Sequence, residues 1–190
     1  VGRTPLIIGE KEGAYCASLE TCAFPNLGYH HWYELGPGEI MLLTPDGIEQ
    51  KAPPGPVLRI CAFLWVYTGY PAASYEGVGV EGVRERCGAA LAKRGAALAD
   101  ILADMAAGVP DSGTGHGIGY AAAARIPFRR ALVKYTPGYG RSYIPSSQTA
   151  RDHVARMKLI AVPEVVDGAS MVLCEDSIVR GTQLANHTIQ

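Results

Sequence analysis

The sequence predicts an α/β fold with a parallel sheet, and two patterns that follow each other along the chain support this. The run 169–174 is apolar on both faces, as strands buried in a parallel sheet are. Upstream of it, apolar residues from position 80 onward recur at helical spacing. Helices that alternate with such strands are typical of a layered fold built on a parallel sheet.

The composition is that of a folded chain. The 190 residues are 48% hydrophobic and 18% charged, which excludes a disordered polyelectrolyte. The longest apolar run, 60–67, is too short to span a bilayer, and the chain opens without a secretory leader, so we expect neither a membrane partner nor secretion. Five cysteines without a CxxC pair favour reduced thiols and a cytoplasmic location.

The first part of the chain, residues 1–57, reads as β-rich. Short strands are predicted at 5–8 and 14–17, and a hairpin is predicted from 39 to 48 around Pro45-Asp46-Gly47. Proline presets φ and glycine accepts a positive φ, so this tripeptide is a strong turn signal. The three prolines within 51–56 predict a linker, with a second domain over 58–190.

After the linker the predicted order is strand, helix, turn, helix, strand, loop and strand. The run 60–67 predicts a buried strand, and the apolar positions from 80 to 105 predict a helix, in which Gly88 and Gly95 each cost about 1 kcal/mol relative to alanine. A turn is expected at 109–113, a short helix at 121–124, a strand at 131–133, a loop at 137–148 and the final strand at 169–174.

Positive charge is concentrated in one segment, 125–158. It holds eight basic residues and one acid, whereas the rest of the chain is acidic. Such a block predicts a polyanionic ligand, and the acidic remainder favours a compact phosphorylated metabolite over nucleic acid. A solvated basic face is the alternative. The basic residues are Arg125, Arg129, Arg130, Lys134, Arg141, Arg151, Arg156 and Lys158.

The most specific motif lies where the last strand ends, at 171–182. An apolar strand runs into Glu175 and Asp176, and Ser-Ile-Val-Arg-Gly-Thr follows. Small polar residues between a strand and a helix offer N–H groups and hydroxyls to a phosphate. The adjacent acids can accept hydrogen bonds from sugar hydroxyls or hold a hydrated Mg²⁺. A ribose 5-phosphate would use both halves, whereas a solvated turn with a helix cap is the plainer interpretation.

This motif resembles the phosphoribosyl pyrophosphate (PRPP) motif of the amidophosphoribosyltransferases, the glutamine-dependent enzymes that open purine biosynthesis. The resemblance is collinear over nearly the whole chain. It includes Pro5 to Gly9, Glu20 to Ala23, Pro37 to Glu39, Gly77, Arg84, Gly88, Gly108 to Ser112, Ile118 to Ala121, Lys134, Gly140, Arg141, Gln148, Arg151 and Val154 to Leu159.

The resemblance implies the end of an Ntn-hydrolase glutaminase domain at 1–57, followed by the front of a type I phosphoribosyltransferase domain at 58–190. It implies that ammonia attacks C1 of PRPP and that pyrophosphate leaves. The implied PRPP site is Glu175, Asp176, Ser177, Ile178, Val179, Arg180, Gly181 and Thr182, with Asp111, Ser112 and Gly113 as pyrophosphate loop. Lys134, Arg141, Gln148 and Lys158 would belong to a closing loop, and Ser112, Glu175 and Asp176 would face Mg²⁺.

Other features limit what the resemblance implies. Glutaminase chemistry needs an N-terminal cysteine, and the chain opens on Val1, so we expect a fragment without that nucleophile, cut also within a helix at Gln190. Cys61 stands where some members place a ligand of a 4Fe–4S cluster, although a buried thiol is the preferred interpretation. For the full-length protein we expect a homo-oligomer that uses PRPP and glutamine-derived ammonia.

Two alternatives remain open. One is another PRPP-using type I phosphoribosyltransferase, which the glutaminase-like stretch argues against. The other is a non-catalytic PRPP- or nucleotide-binding relative, suggested by Leu64, Tyr70 and Ala72, where the family has an acid, an arginine and an aspartate. The glycines of 113–119 do not fit the dinucleotide pattern, and His30-His31 lacks the spacing of a metal site.

Overall fold

The computed structural model describes residues 5–98, 102–135 and 159–178. Contacts between Cα atoms divide the chain after Val83 into two compact units, whereas the sequence places a domain boundary at the proline-rich segment 51–56. The assignment of 1–57 and 58–190 to two domains stays a prediction. No helix in the described part is long and apolar enough to cross a membrane.

The first unit is built on short antiparallel strands. Strand β1 (Ile7–Lys11) lies between β2 (Ala14–Ser18) and β3 (His30–Glu34). Strands β4 (Ile40–Thr44) and β5 (Gly47–Ala52) form the hairpin expected around Pro45-Asp46-Gly47. Its turn is closed by a hydrogen bond of 3.0 Å from Thr44 Oγ1 to the Gly47 carbonyl, and Gly47 has a φ of +143°. The predicted hairpin is confirmed.

A buried carboxylate organises the loop before this hairpin. Glu39 is 8% exposed and accepts hydrogen bonds from the Gly36 N–H (2.7 Å), Gln50 Nε2 (2.6 Å) and the Tyr33 hydroxyl (3.0 and 3.1 Å). Burial on its own would raise the pKa of Glu39, but these donors outweigh it and lower that pKa. The carboxylate therefore stays ionised and ties the loop to β3 and β5.

The predicted buried strand at 60–67 is wrong. The chain forms a π-helical turn over Leu64–Thr68, and Ile60 and Phe63 are about half exposed. Trp65 is the buried member, and its Nε1–H donates to the Val78 carbonyl at 2.9 Å. A short apolar run carries no period, so the sequence could not separate a strand from a helical turn here.

A small hairpin completes the first unit. Strand β6 (Ser74–Tyr75) pairs with β7 (Val78–Gly79) through Glu76 and Gly77, both with positive φ, as tight hairpin turns require. The Tyr75 ring meets the Trp65 ring edge-on at 6.0 Å. The buried cluster of this unit consists of Ile7, Phe24, Trp65, Ala73, Tyr75 and Val80.

The second unit is mixed α/β. After α1 (Val80–Leu98) come β8 (Met105–Gly108), α2 (Gly113–Ala124), β9 (Leu132–Lys134), β10 (Leu159–Ala161), α3 (Pro163–Val166) and β11 (Met171–Cys174). Strands β8 and β11 pair in parallel, from Met105 with Met171 to Gly108 with Cys174, which confirms the predicted parallel pairing. Strands β9 and β10 pair antiparallel.

The amino ends of β8 and β11 are joined by a reciprocal contact. The Ser170 N–H donates to Asp104 Oδ2 at 2.8 Å, and the Asp104 N–H donates to the Ser170 carbonyl at 2.9 Å. Ser170 Oγ donates further to the Leu102 carbonyl at 3.3 Å. These bonds fix the register of the two strands at the end opposite to the predicted site.

Both predicted helices differ in extent from the sequence-based expectation. Helix α1 ends at Leu98, and Met105 already begins a strand. Helix α2 starts at Gly113 rather than near 121, and it ends at Ala124, after which Arg125 has a left-handed φ of 58°. Glycines on both helices serve packing: a Cβ on Gly119 of α2 would overlap the Glu85 carbonyl, and a Cβ on Gly88 of α1 would overlap the His116 carbonyl. The backbones of α1 and α2 therefore touch.

Candidate functional site

The candidate site lies at the carboxyl ends of β8 and β11. Gly108 pairs with Cys174 at the end of the ladder, and the Val109 N–H donates to the Cys174 carbonyl at 2.9 Å. The loops that leave the two strands therefore start side by side. In parallel sheets this edge is where ligands bind.

The loop after β8 carries the predicted pyrophosphate-binding residues. The Gly113 N–H donates to the Val109 carbonyl at 2.9 Å, and the Thr114 N–H donates to the Asp111 carbonyl at 3.2 Å, so the loop is tight and leads directly into α2. We call residues 109–113 the β8–α2 loop. A Cβ on Gly113 would overlap the Cys174 carbonyl and would lie 3.5 Å from the Glu175 Cα. This close approach brings Gly113, at the end of the β8–α2 loop, next to Glu175.

Glu175 has an unusual environment for a carboxyl group. Burial and, second, the negative charge of Asp176 raise its pKa from 4.5 to about 7. Burial likewise raises the pKa of the Cys174 thiol, to about 11, which favours the protonated form at neutral pH. A carboxyl group with a strongly raised pKa at the carboxyl end of a parallel strand marks a functional-site candidate.

Asp176 presents an open acceptor. Its Oδ1 accepts a hydrogen bond from Ser177 Oγ at 2.9 Å. Its Oδ2 is buried and has no hydrogen-bond partner among the described residues. A buried acceptor of this kind is costly unless a donor or cation satisfies it, so a ligand hydroxyl or a hydrated cation fits here. Ile178 is 72% exposed, and Val179, Arg180, Gly181 and Thr182 lie outside the described residues.

Lys134 also reaches the β8–α2 loop. It is the last residue of β9, and its Nζ lies 2.6 Å from Asp111 Oδ2. The sequence assigned these two residues to different loops, and their pairing was not predicted because it depends on where β9 ends relative to β8. Arg141, Gln148 and Lys158, the other members of the predicted closing loop, lie outside the described residues.

The basic segment 125–158 is described only in part. Arg125, Arg129, Arg130 and Lys134 are described, and Lys134 is the member that contacts the site through an ion pair. Arg141, Arg151, Arg156 and Lys158 lie outside the described residues, so the choice between an anion site and a solvated face stays a prediction.

The predicted magnesium ligands are Ser112, Glu175 and Asp176. In the described part of the chain no group of three or more histidine, cysteine, aspartate or glutamate residues could hold a metal ion. Magnesium usually keeps several waters and is held by one or two carboxylates together with substrate phosphates. The open Oδ2 of Asp176, beside Glu175, fits a hydrated ion held in that way.

Cys61, the possible cluster ligand, and His30-His31, for which the sequence predicts no metal site, lie in the described part of the chain. Cys61 is an exposed free thiol, so the preferred interpretation of a buried thiol is wrong. His31 Nε2 lies 3.6 Å from Glu34 Oε1 on the same strand. Over residues 5–98, 102–135 and 159–178 neither Cys61 nor His31 belongs to a group of three or more potential metal ligands.

The sequence is similar to that of a set of purine-biosynthetic enzymes. No protein-family model matches the chain. The amidophosphoribosyltransferase of Bacillus subtilis is 38% identical over 182 residues, which are 95% of this chain and 37% of that protein. The enzymes of Synechococcus elongatus and Mycobacterium tuberculosis are 34% and 32% identical, each again over 95% of the chain. The chain thus spans 33–37% of the length of these relatives.

The chain is also similar in structure to solved proteins. A structure described as the allosteric regulatory enzyme of purine biosynthesis superposes with a TM-score of 0.77 at 36% identity, covering 94% of this chain and 38% of that one. The glutamine PRPP amidotransferase of B. subtilis, in complex with ADP and GMP, gives the same TM-score, identity and coverage.

Proposed function

We propose that this chain belongs to the amidophosphoribosyltransferase family, to a member of which it is 38% identical over 182 residues, and that it carries the PRPP site of an enzyme that makes 5-phosphoribosylamine. In this reaction ammonia attacks C1 of PRPP, the bond from C1 to the pyrophosphate oxygen breaks, and pyrophosphate leaves. The product opens purine biosynthesis.

One observation carries the proposal. The β8–α2 loop and the acidic pair meet at the carboxyl ends of two parallel strands, where Asp176 Oδ2 lacks a hydrogen-bond partner among the described residues. The ribose of PRPP carries a 5-phosphate at one end and a pyrophosphate at C1. Its hydroxyls need hydrogen-bond acceptors, and the 5-phosphate and the pyrophosphate each need hydrogen-bond donors. Asp176 and Glu175 supply the acceptors, and Asp111, Ser112 and Gly113 form the pyrophosphate side. We assign the 5-phosphate to Ser177, Ile178, Val179, Arg180, Gly181 and Thr182.

Catalysis in this proposal is mainly positioning and charge stabilisation. As the bond from C1 breaks, the ribose becomes cationic and the leaving pyrophosphate gains negative charge. The carboxylates at 175 and 176 stabilise the sugar through its hydroxyls, and Lys134 offers its ammonium group to the leaving group. Arg141, Gln148 and Lys158 complete the closing loop. Bound Mg²⁺, facing Ser112, Glu175 and Asp176, would neutralise phosphate charge.

We extend the proposal to the rest of the protein. Residues 1–57 are assigned to the end of an Ntn glutaminase domain and 58–190 to the front of a type I phosphoribosyltransferase domain. Glutamine is the source of the ammonia, and the full-length enzyme is a cytoplasmic homo-oligomer. The similarity to proteins named amidophosphoribosyltransferase and glutamine PRPP amidotransferase supports these assignments.

The test uses the full-length gene product, with PRPP, Mg²⁺ and ammonium salt, and measures pyrophosphate release. Asp176→Asn should lower the rate about 100-fold or more, because it removes charge where the transition state is stabilised. Asp167→Asn, at an exposed acid beyond α3, is the matched control and should keep the wild-type rate. Unchanged release in Asp176→Asn would refute the site assignment. If the wild type bound PRPP without releasing pyrophosphate, the protein would be a binding module rather than an enzyme.

A further inference from the structure

The position of Asp111 is unexpected in a loop that would receive pyrophosphate. Its side chain is 66% exposed, so the carboxylate faces the solvent from which a ligand would arrive. A negative charge there repels an incoming polyanion. A carboxylate in this place therefore needs a role other than direct contact with the phosphate groups.

The structure provides a partner for that carboxylate. Asp111 Oδ2 lies 2.6 Å from Lys134 Nζ, which is the short distance of a charge-assisted hydrogen bond. Both ends of the pair are anchored independently. Lys134 pairs with Leu159 at the end of the β9–β10 ladder, and the Asp111 carbonyl accepts from the Thr114 N–H at the start of α2.

The pair is also able to exchange partners. Lys134 is 42% exposed and Asp111 is 66% exposed, so water screens their attraction, and such ion pairs are weak. An ammonium group has three donors, and it can turn toward a phosphate oxygen without leaving the loop. Without Asp111, the four rotatable bonds of Lys134 would allow the ammonium group to spread over many positions.

We propose that Asp111 is a positioning residue: its carboxylate holds the Lys134 ammonium group over the β8–α2 loop until the pyrophosphate group of PRPP takes that ammonium over. The inference rests on the proposed function and deepens it. Asp111 acts on substrate capture through Lys134. Once PRPP is bound, the pyrophosphate itself holds the cation, and Asp111 no longer matters.

The experiment is a double-mutant cycle on the full-length gene product, with ammonia as amine donor. Asp111→Asn should raise the KM for PRPP about three- to tenfold, as expected for a coupled contact, with a smaller effect on kcat than on KM. In a Lys134→Gln background the same change should leave KM unaltered. Asp111→Glu keeps the charge and should restore most of the wild-type KM. The dissociation constant for inorganic pyrophosphate, measured by calorimetric titration in the presence of Mg²⁺, should change among the variants in the same way as KM.

The outcomes separate the two proposals. A lower KM in Asp111→Asn would mean that Asp111 acts by repulsion alone, and equal effects of Asp111→Asn with and without Lys134 would mean that the pair is not coupled. Either result overturns the positioning role. If the wild type releases no pyrophosphate from PRPP, the proposed function fails, whereas the titrations with inorganic pyrophosphate still decide whether Asp111 acts through Lys134.

Discussion

Gly113 lies so close to the carbonyl oxygen of Cys174 that residue 113 has no room for a side chain. This contact holds the β8–α2 loop against the end of β11, and through it against Glu175. The two halves of the candidate site are thus joined by backbone atoms, which cannot move apart as flexible side chains can.

Gly113→Ala should therefore damage both stability and ligand binding. The new methyl group would push the loop away from β11, at a cost of about 1–3 kcal/mol in the free energy of unfolding. Urea denaturation of the full-length protein measures the loss. Gly79→Ala, where a Cβ has no neighbour within 4 Å, is the control and should be close to neutral. Equal stability of the two variants would contradict the tight contact.

Gly119→Ala tests the crossing of α1 and α2. A Cβ there meets the backbone carbonyl of Glu85, which cannot rotate away, so we expect a loss of about 1–3 kcal/mol or more despite the better helix propensity of alanine. Thermal unfolding compares it with Ala123→Ser on the exposed face of α2. A stabilised Gly119→Ala variant would show that the two helices do not touch at this residue.

Glu39→Gln tests the buried carboxylate network. Removing the charge weakens hydrogen bonds from Gly36, Gln50 and Tyr33, and should cost about 1–3 kcal/mol at neutral pH. The pKa of Glu39 is lowered on folding, so its contribution is present above the ordinary pKa of 4.5 and is lost as the pH falls through the lowered value. Wild type and variant should converge in acid. Glu49→Gln, at an exposed position of β5, is the control for the loss of a surface carboxylate.

Glu175 should give the opposite dependence on pH. Its pKa is raised from 4.5 to about 7 on folding, so the folded state binds the extra proton. The contribution of Glu175 to stability is thus complete below pH 4.5 and is lost as the pH rises through about 7. Glu175→Gln removes this titration, so its stability relative to wild type should increase between pH 5 and 8. The midpoints of urea denaturation, measured for wild type and Glu175→Gln across this pH range, give the difference in stability, and the exposed Glu164→Gln variant is the control. A difference that stays constant with pH would show that Glu175 keeps its ordinary pKa.

The sequence predicted those parts of the fold that have a local signature. The hairpin around Pro45-Asp46-Gly47 follows from the turn chemistry, and the strand before Glu175 follows from its apolar residues on both faces. The prediction of a strand at 60–67 was wrong because apolar residues without a period fit either a strand or a helical turn. The start of α2 was missed because glycine is a poor helix former, whereas here it permits contact with α1.

The candidate site was predicted as a set of residue types and not as an arrangement. The motif at 175–182 and the loop at 111–113 were identified by resemblance, and their meeting follows from the parallel pairing of β8 with β11. The burial of Asp176 Oδ2 and the contact of Lys134 with Asp111 depend on distances that no spacing in the sequence encodes.

The bonds between Asp104 and Ser170 join positions 66 residues apart in sequence. Bringing such distant segments together costs chain entropy before stabilising contacts offset that cost. This pairing therefore belongs to the slow, non-local steps of folding. The acidic pair and the β8–α2 loop depend on the same non-local pairing of β8 with β11. A chain that has formed all its local helices and hairpins, but not this pairing, would still have no site, and recovery of ligand binding on refolding should therefore lag behind recovery of helix content.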